Sequence, residues 1–279
     1  MRIVDAHVHV WDPRVLDHPW LRAIPALDRP MLPEDLDRTD DGPDVVVVEA
    51  DRRPDQALAE ARWVAGLRWP RLRGIVAAAD LRSEELSTHL DALGEVRGVV
   101  GVRHLLQAED AAAWDADEVL VRGLRAVAVR GWTFDACVRW TQLDRLAGLL
   151  TAVPELAVVL DHLGKPPVDD GVDGSAGRAW TAALTRVAAR EATFVKLSGL
   201  AAETSDAASL DRHADGFLAR ALDLFGPDRS MLGSDWPVSA RLGAAVSPAA
   251  WRERVRRVAT ATGGWEAVAS GTAARFYRL

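Results

Sequence analysis

Residues 2–10 read RIVDAHVHV, an apolar stretch that ends in two histidines two positions apart. Along a β-strand alternate side chains point to the same face, so His7 and His9 share a face with Asp5, opposite the neighbouring valines. Two imidazoles that project together from the end of a strand suit a divalent metal or a polarised water. The same pair also occurs for purely structural reasons, so the rest of the chain has to decide between the two interpretations.

Short apolar runs recur along the whole chain and alternate with longer segments of helical periodicity. Several runs stay apolar up to a polar residue at their carboxyl end, which is typical of a parallel strand covered on both faces. The predicted strands are 2–7, 45–50, 74–79, 99–104, 131–136, 156–162, 193–198 and 230–235. The predicted helices are 57–69, 83–93, 116–129, 139–150, 176–190, 210–224 and 248–260.

This alternation predicts the α/β class and a (β/α)8 TIM barrel, a single domain over residues 1–279. A doubly wound open sheet is the alternative, but no Gly-x-Gly-x-x-Gly follows the first strand. Two long irregular segments interrupt the pattern, 11–44 and 166–177. The first follows strand one and is expected to cover the barrel mouth, and both are expected to set specificity.

The composition narrows the partners and the compartment. The chain has 279 residues, 49% of them hydrophobic, and its net charge of −7 disfavours nucleic acid or an anionic membrane as partner. No apolar run reaches the length of a transmembrane helix, and no signal peptide precedes Asp5, so we expect a cytoplasmic protein. The single cysteine, Cys137, is expected to be a small buried residue.

Ionisable residues stand at the carboxyl ends of nearly all the predicted strands, where barrel enzymes place their active sites. They are His7, His9, Glu49, Asp80, Arg103, His104, Asp135, His162, Lys196 and Asp235. The side-chain alternation predicts that one set faces the lumen together, namely His7, His9, His162 and Asp235. Three imidazoles and a carboxylate suit a mononuclear Zn²⁺-type site completed by water. Asp161 is predicted to face away from the lumen, where it orients backbone or a helix.

Six motifs in sequence order, from the first strand to the last residue, resemble those of a known superfamily. They are DAHVHVWDP (5–13), GVRHLLQ (101–107), VLDHLGKPP (159–167), KLSGL (196–200), LGSDWPV (232–238) and AARFYRL (273–279). Together they resemble the amidohydrolase superfamily of TIM-barrel, metal-dependent hydrolases. More narrowly they resemble its sugar-lactonase branch, which includes L-fuconolactonase and L-rhamnono-γ-lactonase and is related to 2-pyrone-4,6-dicarboxylate lactonase.

The resemblance implies a catalytic centre made of the HxH after strand one, the histidine after strand six and the aspartate after strand eight. These positions match His7, His9, His162 and Asp235. Dinuclear members also carry a carboxylated lysine after strand four, where this chain has Arg103 and His104. We therefore expect one divalent metal, Zn²⁺ first, or none, because members of the branch differ in their need for metal.

The predicted activity is the hydrolysis of a sugar-derived lactone, of the L-fucono or L-rhamnono type, to the aldonic acid. Asp235 would act as general base on water, and His162 is the alternative donor of the proton to the departing alkoxide. Arg103, His104 or a bound metal would stabilise the tetrahedral oxyanion. For Arg103 the alternative is a surface salt bridge.

Other residues are predicted to contact the substrate, each with a structural alternative. They are Trp11, Glu49, Asp135, Lys165, Lys196 and Trp236. The two tryptophans, with Trp20, would stack on a sugar face or simply pack. The alternatives are a buried ion pair for Lys196, solvent for Lys165, a metal or histidine contact for Glu49, and loop capping for Asp135. His18, His89 and His213 are expected at the surface.

Rival functions remain at this point. The nearest are metal-dependent decarboxylation of a small unsaturated acid and hydrolysis of a pyrone dicarboxylate on the same scaffold. A barrel that binds a ligand without turnover is the non-enzymatic alternative, although His7, His9, His162 and Asp235 occur together. The expected partner is a small-molecule sugar lactone, and a homo-oligomer stays open.

Overall fold

The eight predicted strands form one barrel of parallel strands in sequence order, which confirms the TIM-barrel prediction. The structure, a computed structural model, describes residues 2–38, 42–242 and 246–279. The strands are β1 Val4–Val8, β2 Asp44–Val48, β3 Leu72–Ala78, β4 Val99–Leu105, β5 Thr133–Cys137, β6 Val158–Leu160, β7 Thr193–Leu197 and β8 Ser230–Leu232. Across the last gap, β1 meets the segment after β8 through a parallel bridge between Val8 and Trp236.

Helices follow the strands wherever the sequence shows helical periodicity, and most of them cover the outside of the barrel. They are α1 Pro33–Asp37, α2 Ala57–Ala65, α3 Leu86–Gly94, α4 Glu118–Val129, α5 Leu143–Leu150, α6 Ser175–Ala188, α7 Ala207–Phe225, α8 Pro248–Ala261 and α9 Thr272–Tyr277. In α7 an apolar stripe from Leu210 to Phe225 is buried, Asp206 caps the first turn, and Gly226 ends the helix with φ 71°. No helix in the described residues is long and apolar enough to cross a membrane.

The lower lumen is apolar and is plugged by the C-terminal helix α9. Val4, Val46, Val76 and Met231 come from different strands and pack in one buried cluster with Phe276 and neighbouring residues of α9. Residues from such distant strands meet only inside the barrel, so this cluster marks which positions face the lumen. The polar residues above it therefore sit on a packed floor.

A bulge in β1 corrects the predicted alternation around the two histidines. Val4 and Ala6 face the lumen, so Asp5 does not. Pairing with β2 slips between Asp5 and Val8, and this irregularity resets the alternation. His7 and His9 consequently face the lumen although Asp5 points elsewhere.

Strands β6 and β8 are the most shortened relative to the prediction, and each ends within three residues of a site residue. β6 stops at Leu160 and β8 at Leu232, instead of 162 and 235. Strand alternation therefore cannot place Asp161, His162 or Asp235, because the backbone has already left the extended conformation.

The segment 11–44 packs against the barrel, with positions 39–41 outside the described residues. Trp11 forms an isolated antiparallel β-bridge with Met31. Trp20 lies at the barrel mouth, where its indole N–H donates a hydrogen bond to the carbonyl of Ala50 at 2.8 Å. The expectation that His18 lies at the surface is wrong. Its ring is 3% exposed and its Nδ1 lies 3.0 Å from the Leu16 carbonyl oxygen, because the segment folds back on itself.

Candidate active site

The seam that closes the barrel holds the site together. The amide of Asp235 donates to the carbonyl of His7 at 2.8 Å, and the amide of His9 donates to the carbonyl of Trp236 at 2.8 Å. On the other side of the seam, Asp5 accepts from the amide of Ser234 at 2.8 Å. Backbone bonds thus fix the first and last site segments relative to one another.

A left-handed turn after β6 brings the third histidine into the site. His162, Leu163 and Lys165 have φ values of 54°, 55° and 54°. Left-handed backbone is strained for residues other than glycine, so packing must hold this turn in place. Gly199 makes the room, since a Cβ there would lie 2.3 Å from His162 Nδ1.

The four predicted centre residues lie together at the top of the lumen. The imidazole nitrogens His7 Nε2 and His9 Nε2 are 3.1 Å apart. Asp235 Oδ1 lies 3.8 Å from His7 Nε2, 3.5 Å from His9 Nε2 and 3.8 Å from His162 Nε2. The opening histidine pair is therefore one part of a four-residue cluster.

Each group that faces this centre is oriented by a second contact. His9 Nδ1 lies 2.9 Å from the carbonyl oxygen of Val48, and His162 Nδ1 lies 2.9 Å from Ser198 Oγ. The hydroxyl of Ser239 donates to Asp235 Oδ2 at 2.7 Å. These contacts leave His9 Nε2, His162 Nε2 and Asp235 Oδ1 directed at the common centre.

Burial and mutual charge set the protonation states. Burial lowers the pKa of His162 to about 4, and burial together with Lys196 holds the pKa of His7 well below its usual range. Burial alone would raise the pKa of Asp235, but His162, His9 and His7 together lower it well below its usual range. At neutral pH the site therefore presents the Asp235 carboxylate beside the neutral imidazoles of His7 and His162.

A chain of buried ion pairs runs beneath the centre. Arg103 Nε lies 2.6 Å from Glu49 Oε1, and its Nη1 lies 3.3 Å from Asp161 Oδ2. Asp161 Oδ1 lies 3.1 Å from Lys196 Nζ, which also pairs closely with Asp135. Burial works against the charge of Arg103, yet Glu49 raises the pKa of its guanidinium. The surface salt bridge considered for Arg103 is thus replaced by a buried one.

Two cavities meet at the barrel mouth. The inner cavity, about 240 Å³, is lined by polar groups that include His9, His162, Asp235, Arg103, Lys165 and Gln107. The outer chamber, about 440 Å³, has Arg52, Arg53, Asp80 and His104 in its wall. Both share Trp20, Asp51, Arg103 and Leu105, so they form a continuous groove over the site.

The centre also fits one divalent metal ion. Tetrahedral ligands at Zn²⁺–N distances of 2.0–2.1 Å lie about 3.3 Å from one another. The donor atoms of His7, His9 and Asp235 are 3.1–3.8 Å apart and all buried, close to that spacing. His162 stands next to this trio as a further nitrogen donor.

A family model described as amidohydrolase matches residues 4–279. The chain belongs to the amidohydrolase family. An L-fucono-1,5-lactonase from Burkholderia multivorans is 32% identical to it, over 99% of this chain and 96% of the relative. An L-fucono-1,5-lactonase from Burkholderia ambifaria is 29% identical, over 99% and 95%. A crystal structure of an amidohydrolase from Burkholderia multivorans with bound zinc superposes with a TM-score of 0.87 at 31% identity, covering 100% of both chains.

In this amidohydrolase four residues that were predicted to contact the substrate are buried and line neither cavity. Trp11, Asp135 and Lys196 are 0% exposed and Trp236 is 4% exposed. The indole of Trp11 donates to the carbonyls of Leu27 and Arg29, so it packs, and among the three tryptophans only Trp20 lines a described cavity. The structure therefore places these four side chains outside the walls of both described cavities, which disagrees with the predicted substrate contacts.

His104 and Asp161 also take other places than predicted. Adjacent strand residues face opposite sides, so His104 points away from Arg103 into the outer chamber, where its Nε2 lies 2.8 Å from Glu109. The structure therefore places His104 in the wall of the outer chamber and not in that of the inner cavity. Asp161 faces the lumen instead of turning away, with its Oδ1 3.2 Å from His7 Nδ1, because the turn starts directly after Leu160.

The remaining candidates of the amidohydrolase line the groove. Lys165 borders the inner cavity 3.6 Å from Glu203, whereas Glu49 lies in the wall of the outer chamber. Cys137 is buried as expected, but it also borders the inner cavity, and burial raises its pKa to about 11, which keeps the thiol protonated. No described residue between 166 and 177 appears in the inner wall; Ala202 and Glu203 after β7 occupy that side.

Several groups received no functional role from the sequence, although Ser198 stands with Lys196 among the polar residues at the predicted strand ends. Ser198 and Ser239 orient His162 and Asp235, and Gln107 and Asp51 line the inner cavity. Ser198 is the serine of the KLS motif and Ser239 directly follows LGSDWPV, so a search for hydroxyls near each strand end identifies both. Asp51 gives no such signal, because its role depends on a left-handed backbone with φ 52°.

Proposed function

We propose that this amidohydrolase opens a sugar-derived lactone of the L-fucono or L-rhamnono type to its aldonic acid. One observation carries the proposal: the Asp235 carboxylate, held by Ser239, lies against the same cavity as the imidazoles of His9 and His162. That arrangement holds a water against a base next to a bound ester. The lactonase relatives support the substrate class.

The reaction follows from the positions of these groups. Asp235 takes a proton from water while the water oxygen forms a bond to the lactone carbonyl carbon. The tetrahedral intermediate then expels the ring oxygen, which breaks the carbon–oxygen bond of the ring. The proton held by Asp235 passes to the departing alkoxide, directly or through His162, and the product is the open hydroxy acid.

The walls of the inner cavity supply orientation and positive charge. Arg103 is buried and fixed by Glu49 and Asp161, so its guanidinium keeps a constant position at the cavity wall. A fixed cation stabilises the charge that develops on the carbonyl oxygen without reorganising. Lys165 and Gln107 face the same space and suit the sugar hydroxyls. A divalent ion held by His7, His9 and Asp235 would add positive charge beside the carbonyl oxygen.

An assay on a lactone panel tests this function. Acid release is measured for five- and six-membered sugar lactones, with and without chelator, using wild-type protein and Asp235→Asn. We expect turnover of at least one deoxysugar lactone and its loss in the variant. Absence of turnover across the panel by well-folded protein would overturn the proposal, and release of CO₂ from an unsaturated acid or hydrolysis of a pyrone dicarboxylate would support the rival activities.

A further inference from the structure

A fully buried lysine lies directly beneath His7. Lys196 Nζ is 3.1 Å from His7 Nδ1 and hydrogen-bonds Asp135, and Lys196 and Asp135 are both 0% exposed. From below, the hydroxyl of Tyr277 donates to Asp135 at 2.9 Å. An ammonium group only donates hydrogen bonds, and water does not reach it here. His7 Nδ1 must therefore accept from Lys196, as long as these two atoms remain partners.

His7 Nδ1 has a second, opposite neighbour. Asp161 Oδ1 lies 3.2 Å from it and also forms an ion pair with Lys196 Nζ at 3.1 Å, but within the described part of the chain it makes no regular hydrogen bond. A carboxylate only accepts, so pairing with Asp161 would require a proton on His7 Nδ1. The two partners thus correspond to two different tautomers of the neutral ring. If His7 were doubly protonated, its positive charge would repel the ammonium group of Lys196.

The contact between the two histidines decides which tautomer holds in the metal-free site. The Val48 carbonyl only accepts, so His9 carries its proton on Nδ1 and leaves a lone pair on Nε2. That lone pair lies 3.1 Å from His7 Nε2. With the proton on Nε2, His7 donates to His9; with the proton on Nδ1, two lone pairs would face each other. The metal-free site therefore selects the tautomer that pairs with Lys196.

A metal ion requires the other tautomer. Zn²⁺ is bound by the lone pair of an imidazole nitrogen, so His7 Nε2 has to lose its proton before it becomes a ligand. The proton then moves to Nδ1, where Asp161 Oδ1 accepts it, and Lys196 loses its bond to His7. Metal binding must therefore overcome the arrangement that Lys196 maintains.

We propose that Lys196 is a positioning residue that holds His7 in its Nε2–H tautomer and thereby keeps the site in a metal-free state. Asp161 favours the opposite tautomer, in which the proton is on Nδ1. Both residues contact His7 Nδ1 and lie 3.1 Å from each other, and the balance between them sets how readily the site takes up metal. This role is distinct from the substrate contact predicted for Lys196 from the sequence.

Nitrogen NMR reads the tautomer directly. Protein labelled with ¹⁵N-histidine has seven imidazoles, and His7→Gln identifies the signals of His7. In metal-free wild-type protein we expect long-range ¹H–¹⁵N correlations of a protonated Nε2 and a bare Nδ1, and the reverse after Zn²⁺ is added. A protonated Nδ1 in the metal-free protein would overturn the proposal without any variant of Lys196.

Calorimetric titration with ZnCl₂ measures the consequence. We expect Lys196→Met to bind Zn²⁺ at least about tenfold more tightly than wild-type protein. The double variant Lys196→Met/Asp135→Asn leaves fewer unpaired buried carboxylates and serves if the single variant fails to fold. Unchanged or weaker Zn²⁺ binding by a folded variant contradicts the proposal.

Lys165→Met is the matched control, because it removes the other lysine, which borders the inner cavity but does not contact His7 in the structure. Equal gains of affinity in the two variants would indicate a general effect of lost positive charge and would also overturn the proposal. Neither readout involves substrate, so the outcome is independent of the proposed lactone hydrolysis.

Discussion

The inner cavity and the outer chamber lie side by side over the same barrel end, yet they differ in how their charges are held. In the inner cavity Asp235 is 2% exposed and is fixed by the hydroxyl of Ser239. In the outer chamber the side chain of Arg53 is 52% exposed and pairs with Asp55, and that of Asp80 is 63% exposed. Only groups locked in a dry site stabilise developing charge efficiently. An ionisable residue at a strand end therefore does not by itself indicate a catalytic group. The burial of its side chain and the hydrogen-bond partner that fixes it distinguish Asp235 of the inner cavity from Arg53 and Asp80 of the outer chamber.

The largest expected effect comes from removing the base of the inner cavity. Asp235→Asn keeps the size of the side chain and its contact with Ser239 but cannot take a proton. General base catalysis typically contributes about 10²–10⁴-fold, so we expect kcat/KM on the best lactone to fall about 10³-fold. Steady-state acid release measures it. Asp228→Asn, whose side chain is 79% exposed far from both cavities, should retain wild-type activity. Comparable losses in both variants would contradict the assignment.

The second prediction perturbs one histidine through its neighbour. Gly199→Ala places a Cβ 2.3 Å from His162 Nδ1, so the imidazole must move, and misplacement of this size costs about 10²-fold in rate. Gly226→Ala is the matched control, because Gly226 has a similar φ of +71° but nothing within 4 Å of a new Cβ. Both variants should lose about 1–2 kcal/mol of unfolding free energy through left-handed strain, read from denaturant unfolding. Only Gly199→Ala should lose activity.

These two variants also mark what could be predicted from the sequence. The HxH pair, the VLDH motif and the LGSDWP motif placed His7, His9, His162 and Asp235 correctly at one end of the barrel, because strand order and strand ends follow from apolar periodicity. The faces of Asp5 and Asp161 could not be predicted in the same way. The bulge in β1 and the left-handed turn at His162 break the two-residue period, and neither leaves a signal in the local composition.

The partners in the buried ion pairs could not be predicted from the sequence either. Asp161, Lys196 and Asp135 stand on three different strands or their ends, and their contacts depend on barrel register. The sequence predicted a buried ion pair for Lys196 as one of two alternatives, because a lysine within an apolar strand is costly to desolvate without a partner. Which carboxylate it would meet depends on packing across the lumen.

The third prediction compares one cation from each cavity. Lys165→Met removes a donor from the inner cavity, and we expect KM for a single-ring lactone to rise about tenfold, the loss of one charge-assisted hydrogen bond, with a smaller change in kcat. Arg53→Met removes a cation from the outer chamber and should change KM less than about twofold. The Michaelis–Menten parameters of the two variants test this difference in KM. If Arg53→Met gave the larger rise, the substrate would occupy the outer chamber instead.

The smallest effect expected is the response of the inner cavity to moderate acid. The mechanism needs His162 neutral, since a protonated ring would pair with Asp235 and weaken it as a base. Burial lowers the pKa of His162 to about 4, so the neutral form is kept as pH falls and is lost only near that value. Between pH 8 and pH 5, kcat/KM should therefore fall by only about a tenth. A histidine of ordinary pKa, about 6.5, would lose about thirtyfold over the same range. A pH profile of kcat/KM distinguishes the two, and a steep decline centred near pH 6.5 would show that water enters the inner cavity as freely as it enters the outer chamber.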